Sequence, residues 1–271
     1  MDADGIGLSG ARETLLITLQ AKAAESALPD SLLGDRFAAD AMRRLGQAAP
    51  HLDVSHDMTI GIAMRAYLVD QWTQSFITRH PDATVLHLGC GLDSRVFRID
   101  PAPEVRWFDI DFPDVIGLRR RLYPDRANTT LIGSSVTEAG WLATIPDDRP
   151  AIVVAEGLLP YLAADDVYGL LRRLVDHLPA GEIVFDGYSH LGLHLLRFNP
   201  AIRATGAALS WGIDDPRMLE RQVPGLSLLE EVTAYDPGQI DRMSAAARIA
   251  VHVFSMVPTL HRMGRLLRYR F

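Results

Sequence analysis

The chain has 271 residues, 48% of them hydrophobic and 7% aromatic, with a formal charge of −7. That length and apolar share suit one large α/β domain, or one domain with a lid, and the acidic balance argues against bulk nucleic-acid binding. The one cysteine, Cys90, excludes an internal disulfide and a cysteine-based metal cluster. It fits a reducing cytoplasm, as does the lack of an apolar run long enough to span a membrane or of a signal peptide within residues 1–20.

Residues 1–10 are expected to form a mobile leader. From Ala11, the positions Leu15, Leu16, Leu19 and Ala23 keep one helical face apolar, and Leu28-Pro29-Asp30 ends that helix. A second helix covers about 35–45. A third covers about 59–78, with Ile62, Tyr67, Leu68, Trp72 and Phe76 along it. Arg65 and Asp70 also lie on the third. Two charges on a helix are usually a solvated face; the alternative is a guanidinium fork paired with a cofactor carboxylate. His80-Pro81-Asp82 closes this helical region, so residues 1–82 read as an N-terminal cap and 83–271 as the core.

Residues 83–113, ATVLHLGCGLDSRVFRIDPAPEVRWFDIDFP, organise the rest. Thr84–Leu88 is a short β-rich apolar run, fit for a strand buried on both faces. Gly89-Cys90-Gly91 follows, and glycines there allow a tight turn and close approach of a ligand. A second strand over 105–110 ends among Asp109 and Asp111, and a carboxylate there can accept both hydroxyl hydrogens of a ribose. The dinucleotide fingerprint needs a third glycine and a pyrophosphate at a helix N-terminus. Here the turn continues Leu92-Asp93-Ser94, and the Asp93 charge is expected to repel a pyrophosphate. S-adenosylmethionine has no phosphate and carries an ammonium and a sulfonium, so it is favoured over NAD. The bland alternative is a tight turn in any α/β protein.

Pro113–Leu122 reads as a helix with proline at its first turn, carrying Arg119, Arg120 and Arg121. A third strand over 128–132 leads to Gly133-Ser134-Ser135-Val136, a loop that would close over an adenine edge. Trp141 is more often core or lid. The fourth strand, Ala151–Ala155, ends in Glu156-Gly157, and Leu158 to Leu162 lead into a helix over Ala164–His177. The fifth strand, 182–185, ends in Asp186. Strands alternating with helices imply βαβ units and a parallel sheet. Residues 188–214 carry His190, His194, Arg197 and Trp211 and read as a lid insertion at the carboxyl edge. A sixth strand over 226–233, a mostly helical stretch over 236–263 broken at Pro258, and a last edge strand over 266–271 complete the chain. The basic tail 261–270 reads as an amphipathic element with a solvated basic face. The histidines His51, His56, His190, His194, His252 and His261 show no metal-ligand spacing, so no metal is expected.

SGARETLLITLQAKAAE near the start, IAMRAYLVD, HLGCGLDSRVFRID, WFDIDFPDVIGLRRRL and VVAEGLLPYL together resemble the leucine carboxyl methyltransferase family, in its tetracenomycin-type polyketide O-methyltransferase branch. The resemblance covers nearly the whole chain. It implies a Rossmann-like class I methyltransferase with a seven-stranded, mostly parallel sheet. It further implies that Arg65, with Lys22, binds the methionyl carboxylate of S-adenosyl-L-methionine. Gly89 and Gly91 line the methionyl and ribose contact, Asp111 holds the ribose hydroxyls and Glu156 faces the ammonium. Where the family often has an aspartate for the adenine amino group, this chain has Ser135, with Val136 beside it. Serine still accepts a hydrogen bond but without charge, so adenine is expected to be held less firmly.

The expected reaction is O-methylation of a small, polyketide-like molecule at a carboxylate or a phenol. A carboxylic acid, with a pKa near ~4, is already ionised, whereas a phenol near ~10 wants a general base. His190 and His194 are the candidate bases and Tyr161 a candidate for orienting the acceptor; each is as readily a surface or packing residue. The rival readings are a protein C-terminal carboxyl methyltransferase and a cofactor-binding protein without turnover. Partners are expected to be the small-molecule acceptor, with no nucleic acid or membrane; the oligomeric state stays open.

Overall fold

The computed structural model describes residues 14–46, 54–198, 203, 208–233 and 238–271. The leader, the helix start at Ala11, His51 and part of the lid stretch lie outside the described residues.

Three helices come first: α1 (Thr14–Glu25), α2 (Arg36–Leu45) and α3 (His56–Arg79). Asp35 caps α2 by accepting the Ala38 N–H at 2.9 Å, and Ser55 caps α3 by accepting the Met58 N–H at 3.2 Å. Seven strands follow: β1 (Thr84–Leu88), β2 (Arg106–Asp111), β3 (Thr129–Gly133), β4 (Ala151–Ala155), β5 (Gly181–Tyr188), β6 (Ser227–Thr233) and β7 (Gly264–Arg270). They form one sheet in the order β3-β2-β1-β4-β5-β7-β6. The first five are parallel; β7 runs antiparallel to both its neighbours. The chain winds outward from β1 in one direction and from β4 in the other. The crevice between their carboxyl ends is the switch point where α/β sheets bind ligands.

The crossovers carry α4 (Arg95–Ile99), α5 (Pro113–Leu122) and α6 (Ala164–His177). The runs TVLHL and AIVVA are apolar on both faces because both faces are covered: every residue of β1 and β4 is buried. On one face, Val69, Trp72, Phe76 and Ile77 of α3 pack on Val85, Trp107, Ile152 and Val184. On the other, Val167, Leu170 and Leu174 of α6 meet Leu86, Val153 and Phe185. Each fully buried side chain of this kind contributes roughly 1.5–3 kcal/mol. The third helix of the expected cap thus forms one layer of the sandwich. α1 and α2 pack beside it against α5, through Leu15, Leu19, Ala41, Val115 and Leu118.

Two expectations are corrected. The last strand is no edge: β7 lies between β5 and β6, and β6 is the edge. Nor is the basic tail a solvated face. Leu266, Leu267 and Tyr269 are buried, Leu266 in one core layer and the other two in the opposite one. Two arginines of the strand are paired, Arg268 with Glu182 at 2.8 Å and Arg265 with Glu231 at 2.8 Å.

The expected lid contains a helix, α7 (His190–Leu196), capped by Ser189, which accepts the Gly192 N–H at 3.1 Å. Beyond it Leu209, Trp211 and Ile213 are buried, and Trp211 and Ile213 join the main core. Three further helices, α8 (Met218–Gln222), α9 (Ala245–Ser255) and α10 (Pro258–His261), lead to β7. No helix among the described residues is long and apolar enough to cross a membrane.

Candidate active site

The turn after β1 carries Gly89 at φ +57° and Gly91 at φ +50°, backbone angles that favour glycine. A β-carbon on Gly89 would stand 2.8 Å from Leu158 Cδ1, and one on Gly91 3.3 Å from Leu15 Cβ. Asp111 braces this turn. Its Oδ2 accepts the Gly91 N–H and its Oδ1 the Phe112 N–H, each at 2.7 Å. Burial pushes the Asp111 carboxyl up, against those two hydrogen bonds.

Asp109 turns the other way. It is fully buried, accepts from Trp107 Nε1 at 2.8 Å and is paired with the Arg119 guanidinium. Burial opposes its ionisation. The Arg119 charge and the hydrogen bonds from His87 and Trp107 outweigh burial and hold it below the usual carboxylate range. Of the two aspartates, Asp111 is the one at the glycine turn, and Asp109 supports the strand.

Behind the turn lies a buried ionic network. Arg65 of α3 donates through Nε to Glu156 Oε1 and through Nη1 to Asp186 Oδ2, both at 3.1 Å. Asp186 Oδ1 accepts the Gly157 N–H at 2.5 Å. Lys22 of α1 reaches Asp93 at 2.8 Å and Glu156 at 3.6 Å. Arg95 joins Asp70 at 2.6 Å and also donates to Glu156. Arg98 spans Asp70, Asp35 and Asp93 at 2.6, 2.6 and 3.0 Å. His87 links both halves: its Nδ1 faces Asp109 at 3.1 Å and its Nε2 faces Arg95 Nη1 at 3.1 Å. Those partners assign the proton to Nδ1 and leave Nε2 as acceptor. Although burial opposes ionisation, Lys22, Arg65 and Arg95 hold the Glu156 carboxyl well below its ordinary range. Lys22, Arg95 and Arg98 do the same for Asp93.

The expected repulsion by Asp93 is therefore corrected. Its charge is turned inward and neutralised by three cations. What the network does show is an imbalance. Lys22, Arg65, Arg95, Arg98 and Arg119 face Asp35, Asp70, Asp93, Asp109, Glu156 and Asp186, so carboxylates outnumber cations by one. At low dielectric such an excess favours a ligand of net positive charge.

A cavity of about 160 Å³ opens on this network. Arg65, Gly157 and Asp186 form its charged end, and Ile17, Met58, Ile62, Leu196 and Leu209 its apolar walls. Tyr161 and Tyr188 line it as well. Burial pushes the Tyr161 phenol up, against the pull of the Arg65 charge. A second cavity, lined by Trp107, Arg126 and Thr129, lies at the amino ends of β2 and β3, on the opposite edge of the sheet.

The structure gathers Lys22, Arg65 and Glu156 in one cluster and Gly89, Gly91 and Asp111 in another beside it. Ser135 binds Thr137 through their hydroxyls at 2.8 Å. Val136, 5% exposed, turns into the core rather than toward a cleft. Neither His190 nor His194 is among the residues lining the cavity. His190 is exposed and paired with Asp214 at 2.8 Å, and His194 is exposed on α7. Asp186, Arg95 and His87 had no role in the sequence reading. Asp186 could have been noticed as a carboxylate at the carboxyl end of an apolar strand. Nothing in the pattern marks Arg95 as buried.

A seven-stranded sheet in the order β3-β2-β1-β4-β5-β7-β6 with β7 antiparallel, joined to a glycine turn after β1 and an acidic turn after β2, is the class I methyltransferase fold. Two crystal structures share this fold. A candidate methyltransferase from Thermobifida fusca superposes with a TM-score of 0.59 at 19% identity, over 92% of this chain and 93% of that one. A DUF574 family protein from Streptomyces avermitilis also gives 0.59, at 15% identity, over 93% and 96%. The sequence model of the leucine carboxyl methyltransferase family matches residues 15–175. The chain is 45% identical to the tetracenomycin polyketide synthesis O-methyltransferase TcmP of Streptomyces glaucescens, over 98% of each chain. It is 38% identical to the S-adenosyl-L-methionine-dependent methyltransferase dpfgK of Gibberella zeae, over 86% of this chain and 85% of that one.

The chain belongs to the leucine carboxyl methyltransferase family. It is an S-adenosyl-L-methionine-dependent methyltransferase. The residues present fit that cofactor: the excess carboxylate suits its positive charge, and glycines at positive φ keep the turn free of β-carbons beside the Asp111 carboxylate.

Proposed function

We propose that the chain methylates an oxygen of a small, polyketide-like acceptor, a carboxylate or a phenol, in the cavity between Tyr161 and Arg65. S-adenosyl-L-methionine supplies the methyl group. The observation that carries the reading is the apolar cavity ending on Arg65, Gly157 and Asp186. The name of TcmP, a polyketide O-methyltransferase, supports the acceptor class.

In this reading Arg65 and Lys22 bind the methionyl carboxylate and Glu156 the ammonium. Gly89 and Gly91 let the cofactor approach the backbone, and Asp111 accepts from the ribose hydroxyls. Ser135 and the Val136 backbone border the adenine. Tyr161 orients the acceptor. The acceptor oxygen attacks the methyl carbon in line with the departing sulfur; one carbon–oxygen bond forms, one carbon–sulfur bond breaks, and the electron pair stays on sulfur. The chain contributes alignment and exclusion of water.

A carboxylate acceptor is favoured. Asp186, a carboxylate at the cavity, is already engaged by Arg65 and Gly157, and His190 and His194 stand outside it. An acceptor that arrives ionised needs no base. In this proposal α1 and α2 act as a helical cap and α7 as a lid. The enzyme works in the cytoplasm on a small molecule, without nucleic acid or membrane. The test is methyl transfer by the purified protein to a panel of aromatic acids, phenols and C-terminal peptides, read by mass spectrometry. Turnover of aromatic acids supports the reading. Turnover of peptides alone, or cofactor binding with no turnover, refutes it.

A further inference from the structure

Ala155 of β4 is in register with Phe185 of β5, which brings the next residues, Glu156 and Asp186, side by side. Both carboxylates turn to Arg65 of α3, whose guanidinium is held between them: Nε on Glu156 Oε1 and Nη1 on Asp186 Oδ2, each at 3.1 Å. Glu156 does not close a two-pronged bond on Arg65, because its Oε2 accepts from Arg95. No hydrogen bond or ion pair among the described residues uses Arg65 Nη2. That nitrogen lies beside Gly157, where a β-carbon would stand 3.7 Å from it. Arg65, Gly157 and Asp186 all line the charged end of the cavity. The Arg65 side chain is 15% exposed against 4% for each carboxylate, so the open edge of the cluster belongs to the guanidinium.

Asp186 has a second partner. Its Oδ1 accepts the Gly157 N–H at 2.5 Å, and Gly157 sits at φ +68°, in the left-handed region that favours glycine. One carboxylate thus fixes both the guanidinium and the turn that leaves Nη2 uncovered. Without it, the bond to Glu156 alone would leave a long side chain with rotamer freedom still to lose on binding a ligand.

We propose that Asp186 is a positioning residue for the cofactor: it holds Arg65 Nη1 and the Gly157 turn so that Nη2 faces the methionyl carboxylate. The proposal rests on the assignment of Arg65 to that carboxylate. By charge alone Asp186 would repel a ligand carboxylate. What it adds is direction, because a guanidinium binds a carboxylate through planar, aligned N–H groups and is not interchangeable with a point charge. A proton-accepting role toward the acceptor is the poorer fit, since both Asp186 oxygens already take a donor.

The test compares S-adenosyl-L-methionine with its decarboxylated form, which keeps the adenosine, sulfonium and amine and lacks the carboxylate. Calorimetry on the full chain gives the ratio of the two dissociation constants. General loosening of the fold leaves that ratio alone, because the two ligands share every other group. The wild type should prefer the carboxylate-bearing ligand by about tenfold or more, the effect of a hydrogen bond between charged groups. Arg65→Met should remove most of that preference. Asp186→Asn keeps the shape, loses the anion and should fall to about the same ratio as Arg65→Met. Asp186→Ser removes the anion without setting an amide donor against Nη1; it should do the same, and it carries the test if the asparagine variant does not fold. A wild type without the preference, or a preference that survives Arg65→Met, overturns the assignment of Arg65 and the proposal with it. A preference lost in Arg65→Met but kept in the folded Asp186 variants overturns the role of Asp186 and leaves the assignment of Arg65 standing.

Discussion

Arg65 Nε stands 3.1 Å from Glu156 Oε1, across 91 positions of sequence, and this contact fixes the long α3 helix against the carboxyl end of β4. One side of the pair closes the apolar cavity; the other enters the ionic network behind the glycine turn. In the proposed reading the cofactor and acceptor subsites therefore share a wall, and that wall is held by charge.

The first prediction concerns Glu156. Glu156→Gln keeps the shape and removes the anion that faces Arg65, Lys22 and Arg95. A hydrogen bond to a charged group contributes about 1.5–3 kcal/mol, so the cofactor dissociation constant should rise roughly 10- to 100-fold. Calorimetric titration of the folded variant reads this directly. An unchanged constant defeats the assignment of Glu156 to the ammonium.

A second prediction follows from Arg119. Its guanidinium donates to the carbonyls of Gly91 at 3.0 Å and Asp93 at 2.7 Å and also pairs with Asp109. Arg119→Met leaves Asp109 buried without its cation, which costs about 3–5 kcal/mol. At about 2–4 °C per kcal/mol for a chain near this size, the melting temperature should fall by roughly 10 °C. Arg119→Lys keeps the charge and should recover part of the loss. A melting curve unchanged in the Met variant contradicts the bracing role.

Much of this was legible in the sequence, and the reason is periodicity. The runs TVLHL and AIVVA can only be strands buried on both faces, and the glycine turn and acidic turn fix their order. The family resemblance favoured Asp111 over Asp109 for the ribose, and the two differ in the structure: Asp111 braces the glycine turn, whereas Asp109 binds Arg119 and Trp107. The position of β7 was not legible. Its arginines look solvated in one dimension, and the pairing of Arg268 with Glu182 and Arg265 with Glu231 joins residues far apart in sequence. The same holds for Arg95 and His87, whose roles exist only once four elements meet. The histidines of α7 were named as candidate bases by residue type, and sequence alone does not show that both are exposed, with His190 paired to Asp214.

The third prediction is the response to acid. Asp93, Asp109 and Glu156 all have folded-state pKa values below their ordinary ones. A depressed carboxylate contributes stability that is fully present above its unfolded pKa and is lost as pH falls through the folded one. Asp111, raised by burial, contributes with the opposite sign. Three groups outweigh one, so unfolding free energy should decline as pH falls below about 4, the unfolded carboxylate range. Denaturant melts at successive pH values measure it, and Asp109→Asn should flatten the acid limb. Stability that rises on acidification contradicts the sign.

The last prediction separates the two acceptor chemistries. If the acceptor is a carboxylate, it is ionised above about pH 5, so kcat should be flat from about pH 6 to 9. A phenol should instead show kcat climbing toward its own pKa near ~10. His190→Ala and His194→Ala should each leave kcat within about twofold, because both side chains face solvent and a general base is typically worth 10²–10⁴-fold. Tyr161→Phe keeps the ring in the cavity and loses the hydroxyl. It should raise KM for the acceptor a few-fold, as expected when one net hydrogen bond of about 1 kcal/mol is removed, with cofactor affinity unchanged. Initial rates across pH with saturating cofactor separate these outcomes. A hundredfold loss in either histidine variant, joined to a rising pH profile, would replace the carboxylate by a phenol and give α7 a catalytic base.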